Sequence, residues 1–377
     1  VDQVLADRLT AWRRHLHANP ELSLAECDTA GFVCARLDEL GVPHVAGIGG
    51  HGVVATLARR AGGSVGLRAD MDALPIAEAT GLPHASARAG AMHACGHDGH
   101  TASLLGAAAL LAADPDWSGT VHLVFQPAEE GFGGARAMLA DGLLERFPMQ
   151  RIFGWHNWPG LAAGTVAVHD GPVMAGGSRV EIALRGQAGH AGMPHLARDP
   201  MLAAAHLLVA LQSVVAREVD PLDAAVLSIC TMEGGAALNQ IPETAVMRGT
   251  LRFHRDAVGA AMEAAIRRIA AGVAAAFAMT AQVAIRAGAA AVVNAPDESA
   301  LAAAAATAAG LAVRRDLAPS MASEDFGAYL AHVPGAFAWI GNGDSAALHN
   351  PGYDFNDSIL PAAAQWLAAV ARAALAE

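Results

Sequence analysis

Short apolar runs at 52–58, 64–70, 119–125 and 151–156 read as strands, and helical periodicity fills much of the chain around them. Strands that alternate with helices confine a chain to an α/β fold, here a mixed, mostly parallel sheet flanked by helices. Leu5, Leu9, Trp12 and Leu16 set the first amphipathic helix over 3–18. A second at 25–40 stops at Gly41, and a third helix-like stretch covers 100–113.

From about residue 178 the pattern changes. Val180, Ile182 and Leu184 alternate with Arg179, Glu181 and Arg185, the period-two mark of a strand with one solvated face. A helix at 199–217 follows, then strands near 225–232 and 245–254, a helix at 256–277 and a strand at 280–286. The order β-α-β-β-α-β is that of a ferredoxin-like unit. The Val-Asn-Ala-Pro run at 293–296 reads as the return linker. The expectation is an inserted domain, 178–290, inside a discontinuous one made of 1–177 and 291–377.

With 377 residues the chain is long enough for two domains, and 54% hydrophobic against 16% charged residues makes it globular. A formal charge of −12 leaves no basic stripe for phosphate backbones, which argues against a nucleic-acid partner. All 24 basic residues are arginine. Without lysine, P-loop and Schiff-base chemistry, pyridoxal phosphate enzymes included, are excluded. Cys27, Cys34, Cys95 and Cys230 form no CxxC pair, which suits a reducing compartment. The N-terminal helix carries charges between its apolar residues, unlike a signal peptide. The alanine-rich runs 104–113 and 201–211 read as too short or too interrupted to span a bilayer. A soluble cytoplasmic protein with no membrane partner is expected.

Two familiar motifs fail their context. Gly47, Gly49 and Gly52 satisfy GxGxxG, but a strand follows where a dinucleotide site needs a helix N-terminus, so a turn is the better reading. Gly62-Gly63-Ser64-Val65-Gly66 satisfies GxSxG, yet Ser64 opens a strand, and a hairpin turn explains the glycines.

The informative polar residues gather where strands end. Strand 64–70 runs into Asp70-Met71-Asp72, strand 119–125 into Gln126-Pro127-Ala128-Glu129-Glu130, and strand 151–155 into His156-Asn157. Between them lie His93, Cys95, His97, Asp98 and His100 at the mouth of a helix. In a parallel sheet the carboxyl ends share one edge, where ligands bind. Cysteine, histidine and glutamate converging there make a borderline-soft donor set that suits zinc or a similar transition metal. A lone Cys or His is more often packed than ligating, so Cys27, Cys34, Cys230, His15, His17 and His206 read as structural or exposed. Five ionisable groups within 93–100 have little packing value and a high desolvation cost unless paired. Glu129-Glu130 could be an exposed helix-start pair, but its place after a strand on the same edge favours function.

At these residues the chain resembles the aminoacylase/carboxypeptidase superfamily of two-metal amidohydrolases, in its hippurate hydrolase and indole-acetyl-amino-acid hydrolase branch. The blocks are RADMDALP (68–75), MHACGHDGHTA (92–102), FQPAEEG (125–131), WHNWP (155–159), GHAGMPH (189–195), GGAALNQIPE (234–243), SEDFG (323–327) and LHNPGYDF (348–355). The resemblance implies metal ligands at Cys95, His97, Glu130, His156 and His349, and a general base at Glu129. It implies that Asp72 orients ligands, that His190 holds the scissile carbonyl oxygen, and that Asn239 and Arg252 position substrate. The wider superfamily often has His and Asp where Asp70 and Cys95 stand here. The implied cofactor is a pair of divalent ions, Zn, Mn, Co or Ni, acting on a small N-acyl amino acid. The inserted domain would make a homodimer or higher homo-oligomer. A dipeptidase, a carboxypeptidase or an aromatic-amine deaminase could use the same site. A silent binding protein would be expected to lack Glu129, and a structural zinc site to hold tight Cys/His pairs.

Overall fold

The computed structural model describes residues 1–376. The chain divides into two compact units: 1–173 with 292–318 and the segment from Asp325 onward, and 174–291 with 319–324.

In the first unit the early strands are β1 (His44–Ile48), β2 (Gly52–Arg59), β3 (Ser64–Asp70), β4 (Gly119–Gln126) and β5 (Arg151–Pro159). The sheet order is β1-β2-β4-β3-β5, continued by Gly335–Gly343, Val166–Ala167 and Val313–Arg314. From β4 through β3 and β5 to Gly335–Gly343 the neighbours are parallel, whereas β1–β2 and β2–β4 are antiparallel. The parallel strands are apolar almost throughout because helices cover both faces of such a sheet; every residue of β3 after Ser64 is buried.

The first helices are α1 (Gln3–Ala18), α2 (Cys27–Glu39) and α3 (His97–Ala113). Asp2 caps α1 by accepting from the Leu5 amide at 2.8 Å. The crossover helix α3 joins β3 to β4 and packs on α1 and on the helix Leu360–Ala376. A Cβ on Gly106 of α3 would meet Leu9 and Ala364 at 2.8 Å, so glycine is what lets the three helices close up. Leu9, Leu105, Trp366 and Leu367 are fully buried there. Truncating one of these leucines to alanine would cost about 2–5 kcal/mol in transfer and cavity terms.

The GxSxG segment is not a hairpin. Because β4 lies between β2 and β3, the turn before Ser64 crosses under a neighbouring strand. A Cβ on Gly62 would stand 2.9 Å from the Gly119 backbone, so the glycines serve close chain approach. The GxGxxG glycines do form the turn between β1 and β2.

In the second unit four antiparallel strands lie in the order Ala225–Glu233, Thr244–Phe253, Gly176–Arg185, Thr280–Ala287. Numbered within the βαββαβ unit this is 2-3-1-4, the ferredoxin-like arrangement. Val180, Ile182 and Leu184 point with Met247 and Leu251 into a core shared with Leu207 and Leu211 of Pro200–Ser213 and Ile266 of Asp256–Ala276. The short segment Pro319–Glu324 joins this unit, where the Ser320 carbonyl accepts from His254 Nε2 at 2.9 Å.

One expectation needs correction. The helix over 201–211 continues through a π-helical turn to Glu218, and Pro200–Glu218, like Asp357–Ala376, is long and apolar enough to cross a membrane by length and composition. Their apolar residues have another use in the folded chain: Leu207, Leu211, Trp366 and Leu367 are fully buried in protein cores.

Candidate metal centre

The parallel run of β4, β3 and β5 puts the segments after Gln126, after Asp70 and around His156 side by side, and α3 starts beneath them at His97. Donor atoms of Cys95, His97 and His156 all lie within 4.8 Å of one another, as do those of Cys95, Glu130 and His349, and of His97, Glu129 and Glu130. Cys95 Sγ is 3.4 Å from His156 Nε2, Glu130 Oε1 is 3.3 Å from His349 Nε2, and 3.9 Å separates it from His97 Nε2. All five expected ligands therefore meet in one cluster of the first unit. Two backbone features shape it. Ala128, just before the glutamate pair, has φ +53°, and His349 has φ +64°, left-handed values uncommon for residues with a side chain.

The imidazoles are oriented as ligands would be. His97 Nδ1 lies 2.9 Å from the Asp72 carbonyl and 3.2 Å from its carboxylate, both acceptors, so Nδ1 carries a proton and Nε2 faces the cluster. His156 Nδ1 likewise donates to the Asn157 carbonyl at 2.8 Å. Among the described residues, His97 Nε2 and Glu130 Oε1 are buried without a hydrogen-bond partner. Buried polar atoms are seldom left so. Two orphaned donor atoms beside a thiol and two further imidazoles are what a divalent cation would satisfy, and the residues fit it.

The charges agree. Burial, followed by Glu130 and Glu129, pushes the Cys95 thiol well above its ordinary range. Burial alone would lower His97, but Asp70 and Asp72 outweigh it and raise the ring to about 10. His156 is driven well below the usual histidine range by burial and by His100. The cluster thus holds a protonated ring and a protonated thiol that a cation would displace to H⁺.

Asp72 is buried and tied three ways: to His97, to the Ser23 hydroxyl at 2.6 Å and to the Glu130 amide at 3.0 Å. It so links one expected ligand to the backbone of another. Asp70 instead holds His100 Nδ1 at 2.6 Å and Arg68 at 2.9 Å. Glu129 Oε1 accepts from the Asp325 amide at 3.2 Å. Asp325 is itself fixed by Arg68, Gln126 and the Ala135 amide. Glu129 and Glu130 sit in a turn, so the helix-start reading of that pair does not hold.

Of the five ionisable groups at 93–100, Cys95 and His97 are among the expected ligands, and His100 lies beside them, with a donor atom within 4.8 Å of those of His97 and Asp70 but with its ring nitrogens engaged by Asp70 and Asn157. Asp98 turns away to a buried network with Arg13 Nε at 2.9 Å and His17 Nδ1 at 2.8 Å. Arg13 extends it to Asp354 at 2.8 Å and Asp357 at 3.2 Å, which ties the α3 start to the segment that carries His349. The signal was available: Leu9, Trp12 and Leu16 define the buried stripe of α1, and Arg13 falls on it. His93 is buried with both ring nitrogens unpartnered among the described residues. Asn157, whose amide donates to Tyr353, positions His100 and left no comparable trace in the sequence.

The remaining expected residues belong to the second unit. His190 and Asn239 come together there: His190 pairs with Gln240 in a two-residue ladder, and the Ala191 amide donates to the Asn239 carbonyl. His190 is exposed, and its Nδ1 accepts from the Gly192 amide at 3.0 Å. Arg252 is half-buried on the four-stranded sheet.

The model of peptidase family M20/M25/M40 matches residues 66–373, most of the chain and every cluster residue. The chain belongs to that family. It is 40% identical over 365 residues to N-acetyl-L-cysteine deacetylase of Bacillus subtilis, covering 96% of this chain and 87% of that one. It is likewise 40% identical over 364 residues to hippurate hydrolase of Campylobacter jejuni, covering 95% and 94%. A dinuclear metal-binding M20 peptidase from Bacillus subtilis superposes with a TM-score of 0.90 at 35% identity over 100% of this chain and 99% of that one. This M20 protein is therefore a metal-dependent hydrolase, and the donor cluster supports two divalent ions.

Proposed function

We propose that the chain hydrolyses the amide bond of N-acyl amino acids, with Glu129 as general base and Cys95, His97, Glu130, His156 and His349 as ligands. The observation that carries this is a second carboxylate, Glu129, within 4.8 Å of the His97 and Glu130 donors. Hydrolysis by activated water calls for a proton carrier beside the ligands, and a closed structural site does not. Two divalent ions held there would supply Lewis acidity, polarising a carbonyl and acidifying water. Thiolate and imidazole donors favour zinc, with manganese, cobalt and nickel as alternatives.

The chain's own groups do the rest. Glu129, steadied by the Asp325 amide, takes a proton from the attacking water and hands it to the departing nitrogen. Asp72 keeps His97 in the tautomer that faces the cluster. His190 is assigned the carbonyl oxygen, and Asn239 and Arg252 the amino-acid end, where a guanidinium suits a carboxylate. The protein would act as a homodimer or higher homo-oligomer through the second unit. Its strand Ala225–Glu233 is a sheet edge with Val226 and Met232 exposed. A cytoplasmic setting agrees with four unbridged cysteines.

The test is release of free amino acid from N-acetyl, N-benzoyl and indole-acetyl conjugates, before and after chelation and re-addition of each metal. Turnover lost on chelation and restored by metal is expected. A chain that releases nothing from any conjugate, or that ignores chelation, refutes the proposal.

A further inference from the structure

On the open face of the four-stranded sheet, Arg179 stands opposite Arg286 in the antiparallel register, and Arg252 lies one row away opposite Gly177. A Cβ on Gly177 would collide with Arg252 Nη1 and stand 2.8 Å from the Leu251 carbonyl, so the bare glycine leaves room for that guanidinium over the neighbouring strand. Burial and the Arg179 charge both act to lower the Arg252 pKa. Like charges placed opposite one another across a strand pair are destabilising.

Among the described residues no carboxylate pairs with any of these three, although the chain has 36 acidic residues against 24 basic ones. Neighbouring arginines are treated differently. Arg185 holds Glu243 at 2.9 Å, and Arg248 holds Glu181 at 2.7 Å and Glu233 at 3.0 Å. Beside the unpaired row is a cavity of about 330 Å³ lined by Arg179, Arg286, Arg248, Glu181, Thr250 and Cys230. Its one lining carboxylate, Glu181, is already held by Arg248, so the lining keeps a surplus of positive charge.

We propose that Arg179, Arg286 and Arg252 form a binding site for a small, multiply charged oxyanion, a phosphate ester or a dicarboxylate. Guanidinium forks bind such groups through paired, charge-assisted hydrogen bonds, and one anion would relieve the repulsion among all three cations. The site adds to the carboxylate role proposed for Arg252 and does not depend on it, because binding rather than turnover reads it.

The experiment titrates inorganic phosphate and, separately, succinate into the metal-loaded protein at low ionic strength, with calorimetry and thermal unfolding as readouts. Wild type should bind one probe saturably. The double variant R179Q/R286Q should bind it at least tenfold more weakly. Preference for phosphate assigns an ester, and preference for succinate a dicarboxylate. Without added anion, R286Q should unfold at a higher temperature than wild type, and saturating anion should reverse that order. Binding of neither probe, or binding indifferent to both substitutions as expected for an anion held at the metals, overturns the proposal.

Discussion

The two units handle charge in opposite ways. In the first, Arg13, Arg68, Asp70, Asp72, Asp98, His97 and His100 are all buried, each held by partners from distant parts of the chain. In the second, the pairs Arg185–Glu243, Arg248–Glu181 and Arg268–Glu218 lie on the surface, and the core is apolar alternation. Buried charge demands a partner at a fixed place, whereas exposed charge contributes little to stability. The first unit's geometry is therefore constrained by buried ionic groups in addition to its apolar core, and the second unit's mainly by hydrophobic patterning.

The contrast can be attacked most directly at the base. Glu129→Gln should lower the hydrolysis rate by about 10²–10⁴ while metal content measured by elemental analysis is unchanged; turnover within tenfold of wild type would remove Glu129 from its role. Next in size is Arg13→Met, which takes the cation from buried Asp98 and leaves it, among the described residues, only His17 and the Gly99 amide, and should cost about 3–5 kcal/mol in urea unfolding. Arg248→Met in the second unit should leave the unfolding midpoint in place. Equal losses from both would erase the distinction between the units.

A smaller effect concerns pH. Burial chiefly, with His17 and His97 adding to it against Asp98, holds His93 down to about 4. An unfolded histidine titrates near 6.5. Below that pH the unfolded chain takes up a proton that the folded one refuses, so stability present above pH 6.5 is lost as pH falls toward 4. Urea midpoints of the metal-free chain should decline across that window, and His93→Leu should flatten the decline. Least in magnitude, metal uptake at neutral pH should release roughly two protons, from Cys95 and His97. Calorimetry in buffers of different ionisation enthalpy counts them, and no release would exclude both as ligands.

The same contrast explains what could be read from the sequence. Alternation at 179–185 locates a strand of the second unit because one face is wet and one dry, and the helices at 199–217 and 256–277 follow from their own period. In the first unit the parallel strands showed as apolar runs, and their polar ends marked the edge where Cys95, His97, Glu130 and His156 meet. His349 was legible only by resemblance: it lies six residues past the strand Gly335–Gly343, and its amide donates to the Ala94 carbonyl at 2.8 Å, a long-range contact that no local pattern announces. The sorting of His93 and Asp98 away from the cluster, and of His100 to a place beside it with its nitrogens engaged by Asp70 and Asn157, was hidden, because direction around the first turn of α3 is set by packing. The edge strand β1 was missed, having only five residues. The Gly62 turn was misread because strand order cannot be seen in a local pattern.

The spacing of the ligands along the chain has a consequence for biosynthesis. Cys95, His97, Glu130 and His156 are all translated before residues 174–291, and His349 only after them. A nascent polypeptide therefore carries an incomplete claw throughout the manufacture of the intervening unit. If the proposed ligands hold, ion capture by the full set would be a late step of maturation, and a ribosome stalled within the insertion would leave a thiol, a carboxylate and two imidazoles waiting for the last arm.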